Sequence, residues 1–237
     1  MAERRPDTAQ TVPNRIEFKP LIGGSIAAAN RDFKPILKRA WPLLLVVAFL
    51  LELNHYLMML YGQYLHPDVG PPLADFLAGV VASGTYLLLV PLYARDLHEG
   101  AAETRFFAHA KRHLNQLTIE MLRVLAKVIL GLVLFVIPGL IWSVQLTFVP
   151  LIAQFDPEYL SGRRDALKRS KEMVRGHFMA ILFVSLVFLL VSICETSKYY
   201  FFSYPPIYVL LVLLNVLLEV YVYTFFFSVY ERVSRLS

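Results

Sequence analysis

The sequence predicts an all-α integral membrane protein: six transmembrane helices arranged as three hairpins, each preceded by a basic amphipathic helix in the membrane interface. Three observations lead there. Of 237 residues, 57% are hydrophobic and only 17% charged, against about 25% charged in soluble domains. The apolar residues are gathered into stretches long enough to cross a bilayer. All of the 23 lysines and arginines except Lys198 fall in four polar segments: the arm up to Arg39, Arg95–Lys127, Arg163–Arg175, and the tail with Arg232 and Arg235. An excess of Lys/Arg marks the cytoplasmic side. The alternation therefore gives six crossings with both termini in the cytoplasm.

Residues 1–20 are polar, proline-punctuated and without the apolar core of a signal peptide. They read as a disordered cytoplasmic arm, and the first span as an uncleaved anchor. Residues 21–237 form one membrane domain, with hairpin units of about 25–97, 103–156 and 157–230. Trp41–Tyr61 is the first span, opened by Pro42, and Leu73–Ala94 the second, entered through Gly70-Pro71-Pro72. A helix needs about 20 residues to cross the hydrocarbon core. Thr118–Phe155, as one helix, would run to ~57 Å. Interrupted at Pro138-Gly139, it instead reads as two spans, Thr118–Ile137 and Leu140–Phe155, with the turn at the outer surface. A single kinked span would put the Arg163–Arg175 cations outside, against the charge bias. Phe178–Glu195 and Ile207–Tyr230 complete the set.

The amphipathic stretches are Ser25–Arg39, Glu103–Leu117 and Pro157–His177. In the third, Ala166/Leu167, Ser170, Met173/Val174 and Phe178 recur at helical spacing, with Asp156-Pro157 as N-cap and first-turn proline. Arg163, Arg164, Lys168, Arg169, Lys171 and Arg175 lie between them, a cationic face for anionic lipid headgroups. Ser25…Phe33-x-x-Ile36-Leu37 also aligns with Ser170…Phe178-x-x-Ile181-Leu182, as an internal repeat would.

Ile137-Pro138-Gly139-Leu140-Ile141, then Phe148-Val149-Pro150, then Asp165-Ala166-Leu167-Lys168-Arg169-Ser170 with Val174-Arg175-Gly176-His177-Phe178, resemble a broad group of prokaryotic integral membrane proteins. The group includes the YciC-like proteins and the membrane domain that precedes some glycerophosphodiester phosphodiesterases. The likeness covers roughly residues 120–190. It implies a six-span membrane domain and brings no catalytic domain with it.

Glu52 and Glu219 stand near the midpoints of the first and sixth spans, where an acidic side chain costs roughly 2.5–3.5 kcal/mol. With Asn54, His55 and Asn215 they form a candidate polar site. Either it carries a proton, a cation or a headgroup, or it bonds helices together. Glu52-x-x-His55 has the spacing of a di-iron half-site, but no second such pair accompanies it. His109 and His113 have the spacing of a zinc pair, yet Ala110 stands where the zincin glutamate belongs. No metal, cofactor or nucleic acid is expected, and no enzymatic motif is recognisable. The first functional reading is a non-catalytic membrane protein that organises lipid, a membrane partner or its own oligomer through the basic face. The second is a small transporter or channel subunit built on Glu52 and Glu219, and the third an intramembrane lipid enzyme.

Overall fold

The computed structural model describes residues 17–61, 70–100, 106–197 and 204–236, and every element among them is helical. In order these are α1 (Phe18–Tyr61), α2 (Gly70–Glu99), α3 (Phe106–Leu134), α4 (Val136–Gln145), α5 (Val149–Phe155), α6 (Pro157–Leu160), α7 (Ala166–Arg175), α8 (Phe178–Ser197) and α9 (Pro205–Ser234). Two runs among the described residues, Val136–Phe155 and Pro206–Ser234, are long and apolar enough to cross a membrane; the bent pair α7–α8 is a third.

Helix α1 is 44 residues long and passes through Pro35 and Pro42. Its first half buries Leu21, Ser25, Ala29, Asp32, Ile36, Ala40 and Leu44, a stripe at spacings of three and four that packs on α9 and α2. This corrects the expectation of a separate interfacial helix at Ser25–Arg39. Helix α3 likewise runs unbroken through Leu117, so Glu103–Leu117 is not a helix of its own beyond residue 106. In α3 nothing after Leu117 stops a helix, and in α1 the helix continues through Pro42, which removes one N–H without ending the run. Helix α1 also begins at Phe18, inside the stretch read as a disordered arm; residues 1–16 lie outside the described residues.

The third amphipathic stretch does separate. Asp156 caps α6 by accepting from the Glu158 and Tyr159 N–H groups, with Pro157 in the first turn. Gly162, at φ 73°, takes the left-handed turn that leads out of α6. Asp165 then caps α7. Ala166, Leu167, Ser170, Met173 and Val174 are buried as their spacing predicts. At Gly176-His177 the chain turns, and α7 and α8 meet at 109°. The two arms of the proposed repeat agree position by position: Ser25 and Ser170 are buried, Phe33 and Phe178 half-buried, Ile36 and Ile181 buried, Leu37 and Leu182 half-buried.

The core sits around α5, whose residues Val149–Gln154 are buried on every side. Phe148 stacks on Phe226 (5.6 Å between centroids) and meets Tyr230 edge-on, while Phe155 meets Phe227. One polar contact inside this core has a backbone origin. Pro91 in α2 has no N–H, which leaves the Leu87 carbonyl without its helical partner. The Gln154 amide donates to that carbonyl (3.4 Å) and to the Pro150 carbonyl (3.0 Å).

Helices α3 and α4 form a hairpin, turned by the single extended residue Phe135. Pro138 lies in the first turn of α4. Gly139 is buried where the arms touch: a Cβ on Gly131 would stand 2.8 Å from the Gly139 Cα, and one on Gly139 would stand 2.7 Å from the Leu132 nitrogen. Backbone on both sides leaves no room to yield. Gly139→Ala and Gly131→Ala should each destabilise the fold by about 1–3 kcal/mol, read as a lower thermal midpoint in detergent. An unchanged midpoint would mean the arms are not held this closely.

Candidate functional site

The structure does not bring the two candidate glutamates together. Glu52 accepts a hydrogen bond from the Tyr208 hydroxyl at the start of α9. Glu219 lies eleven positions further along the same helix, ~16 Å of rise. It is two positions from Tyr221, whose hydroxyl donates to Asn30 (2.8 Å) and whose ring meets Phe33. Along α9, Glu219 is therefore displaced by that rise from the residue that bonds Glu52. Span midpoints coincide only when antiparallel helices share a register, and α1 and α9 are offset. Asn215 is half-buried on α9; the side chains of Asn54 and His55 lie outside the described residues. Substitutions at separated sites add, so Glu52→Gln with Glu219→Gln should show a coupling under about 0.5 kcal/mol in a double-mutant cycle on thermal stability. Glu52→Leu, which removes this acceptor of the Tyr208 hydroxyl, should cost ~0.6 kcal/mol and at most ~1.7. Strong coupling between the glutamates would restore them as one site.

The basic face of α7 is divided in the folded protein. Arg163, Lys168 and Arg175 are exposed. Arg164 pairs with Glu158 (2.9 Å) and Glu172 (3.8 Å). Arg169 turns inward to Asp156 (3.4 Å), and the Lys171 ammonium lies 6.0 Å over the Trp142 ring. The Ser170 hydroxyl donates to the Gln145 carbonyl (2.8 Å), fastening the buried side of α7 to the end of α4. The segment before α7 is anchored as well. Arg123 of α3 donates to Glu120 (2.8 Å) and to Asp165 (2.6 Å), and Glu120 also accepts from Tyr159 (3.1 Å). Burial, then the Glu120 charge, push the Tyr159 hydroxyl up to about 12.

A polar cluster that sequence patterning does not identify joins α1, α2 and α9. His98, near the end of α2, sets its Nε2 2.7 Å from Asp32 of α1 and its Nδ1 2.9 Å from Glu231 of α9. Arg31 donates to Asp32 as well (2.7 Å). Both ring nitrogens therefore face carboxylates, an arrangement that only the doubly protonated imidazolium satisfies fully. Burial pulls the His98 pKa down, but the Asp32 hydrogen bond and the Glu231 charge outweigh it and hold it above its ordinary value. Asp32 is opposite: burial raises it, and the bonds from Arg31 and His98 bring it below the usual carboxylate range. Gly24, Arg31, Arg232 and Arg235 line the open cleft of about 960 Å³ beside this cluster. Arg232 donates to the Gly24 carbonyl (3.0 Å). The one local signal was Asp32 itself, a carboxylate in phase with the apolar stripe of α1.

The stability consequence has two edges. The contribution of His98 is whole below its unfolded value near 6.5 and fades as pH rises through its elevated folded pKa. That of Asp32 is whole above 3.8 and is lost as pH falls through its depressed folded pKa. The cluster therefore holds α1, α2 and α9 most firmly between these values. His98→Gln should flatten the alkaline limb of a thermal-stability profile and lower the midpoint by about 1–2 kcal/mol equivalent. A profile unaltered above pH 6.5 would remove His98 from this role.

His109 and His113 share a second pocket of about 430 Å³ with Arg95, Asp96 and Gln154. Their rings lie 4.5 Å apart, and His109 Nε2 is 3.4 Å from the Gln154 carbonyl oxygen. Burial depresses both imidazoles, helped at His109 by its neighbour His113. His113 Nδ1 is buried without a hydrogen-bond partner. Among the described residues no three His, Cys, Asp or Glu side chains come together as a metal-ligand set. No family model, curated protein or solved structure matches the chain.

Proposed function

We propose that this chain is a multi-pass protein of the bacterial inner membrane, with both termini in the cytoplasm, and that it organises lipid without catalysing a reaction. The recognition element is α7. A helix that buries Ala166, Leu167, Ser170, Met173 and Val174, points Lys168 and Arg175 outward with Arg163 exposed just before it, and joins the apolar α8 at 109° has the layout of an interfacial helix at the foot of a span. Lys171 over the Trp142 ring supports the reading, since both residue types favour the headgroup level. The exposed apolar side chains of α1, α8 and α9, among them Phe49, Leu189 and Leu210, supply the acyl-facing surface beneath it. The ~16 Å rise along α9 from Tyr208, the partner of Glu52, to Glu219 weighs against the transporter reading.

The test is selective. Each exposed cation near an anionic surface contributes ~1 kcal/mol. The triple variant Arg163→Gln, Lys168→Gln and Arg175→Gln should therefore lose anionic lipid preference by about tenfold to a hundredfold in nanodiscs, while zwitterionic lipid is retained as before. Arg169→Gln should instead lower stability and leave lipid preference intact, because its guanidinium faces Asp156. Equal retention of anionic lipid by the triple variant and the native chain would refute headgroup recognition by α7.

A further inference from the structure

We infer that the α3–α4 hairpin does not cross the membrane but enters the cytoplasmic leaflet alone, its tip at Phe135–Ile137 ending among acyl chains. The inference rests on the membrane reading above and concerns depth. A hairpin that crosses needs two arms able to cross. The α4–α5 arm qualifies by length and composition. The α3 arm does not, because Glu120, Arg123 and Lys127 lie along it.

Their surroundings fix the level of these charges. Arg123 is bound to Asp165, the residue that caps α7, and Lys127 is exposed one turn closer to the tip. On the other arm, Ser170 of α7 holds the Gln145 carbonyl and Lys171 covers Trp142. Helix α7 thus grips both arms of the hairpin at the headgroup level. From Arg123 to Leu134 the rise is only ~16 Å, about half of a ~30 Å hydrocarbon core, whereas the 20 residues of α8 rise ~30 Å. The Lys127 ammonium can reach back to the headgroups along its own stem.

The occupant of this surface is lipid. Val133, Phe135, Val136 and Ile137 are between 71% and 76% exposed. Gly131 and Gly139 let the arms close into a narrow apolar tip beneath the cations Arg123, Lys127 and Lys171. Acyl chains with anionic headgroups above them match that order of surfaces. A body inserted into one leaflet enlarges that leaflet alone. The hairpin is thus a wedge, and insertion should be strongest where cytoplasmic-leaflet lipids are loosely packed. The parity of crossings is unchanged: α1, α2, α8 and α9 cross, and both termini remain on one side.

The experiment measures depth in the whole protein. In a Cys194→Ser background, Ile137→Cys, Tyr204→Cys and Arg163→Cys are made singly and reacted with a membrane-impermeant maleimide from each side. Tyr204→Cys should label from outside and Arg163→Cys from the cytoplasm. Ile137→Cys should react roughly tenfold or more slowly from either side, as a thiol in hydrocarbon must. A fluorophore attached there under denaturing conditions before reconstitution should be quenched most by lipids with a nitroxide at the chain end. Labelling of Ile137→Cys from outside, or strongest quenching by outer-leaflet headgroup nitroxides, would overturn the half-depth insertion and leave the membrane reading standing. Labelling of all three cysteines from the same side, with release of the chain by alkaline wash, would overturn the membrane reading itself.

Discussion

Setting His98 between Asp32 and Glu231 fixes three long helices, α1, α2 and α9, against one another at a single level. The contact is demanding. The Asp32 side chain is only 3% exposed, and a buried carboxylate without partners would carry a large desolvation cost. The imidazolium and the Arg31 guanidinium offset it. Once that level is set, the remaining contacts follow in register: Tyr221 reaches Asn30, Arg232 reaches Gly24, and Tyr208 reaches Glu52. Helix α5 then fills the space enclosed by α2, α3 and α9.

The same constraint explains why charge lies where it does. Among the described residues, Asp32–His98–Glu231, Arg169–Asp156, and Arg123 with Glu120 and Asp165 form a polar layer across one end of the bundle. Sequence analysis treats that layer as a topology signal and a lipid-facing surface. In the folded protein, part of it is internal structure. Arg164, Arg169 and Lys171 have protein neighbours, which leaves Lys168 and Arg175 of the helix, with Arg163 just before it, as the outward cations.

What could be read without coordinates was local. The buried side of α7 follows from its spacing, the cap at Asp156 follows from residue chemistry, and a reversal near Pro138-Gly139 follows from length, although its pivot is Phe135 and both residues belong to α4. What escaped was set by partners distant in the chain. Nothing near His98 in sequence announces Asp32 or Glu231. The common depth assigned to Glu52 and Glu219 assumed that apolar midpoints align, whereas the register obeys the polar contacts at the other end of α1 and α9. Helix boundaries failed for a simpler reason: α3 changes composition without a residue that ends a helix, and α1 runs on through Pro42, which reads in sequence as the first turn of a new one.

Gln154 gives residue identity at one site a hold over another. Its amide serves the Leu87 carbonyl only because residue 91 is a proline; an alanine there would return an N–H to that carbonyl. Glutamine is therefore required at 154 in the presence of Pro91 and becomes dispensable in its absence, where leucine would fill the same volume without an amide to satisfy. The two positions, 63 apart in the chain, are linked through this one carbonyl. Across diverging sequences they should change as a pair, with the proline lost first, because the reverse order passes through an unbonded carbonyl in the core.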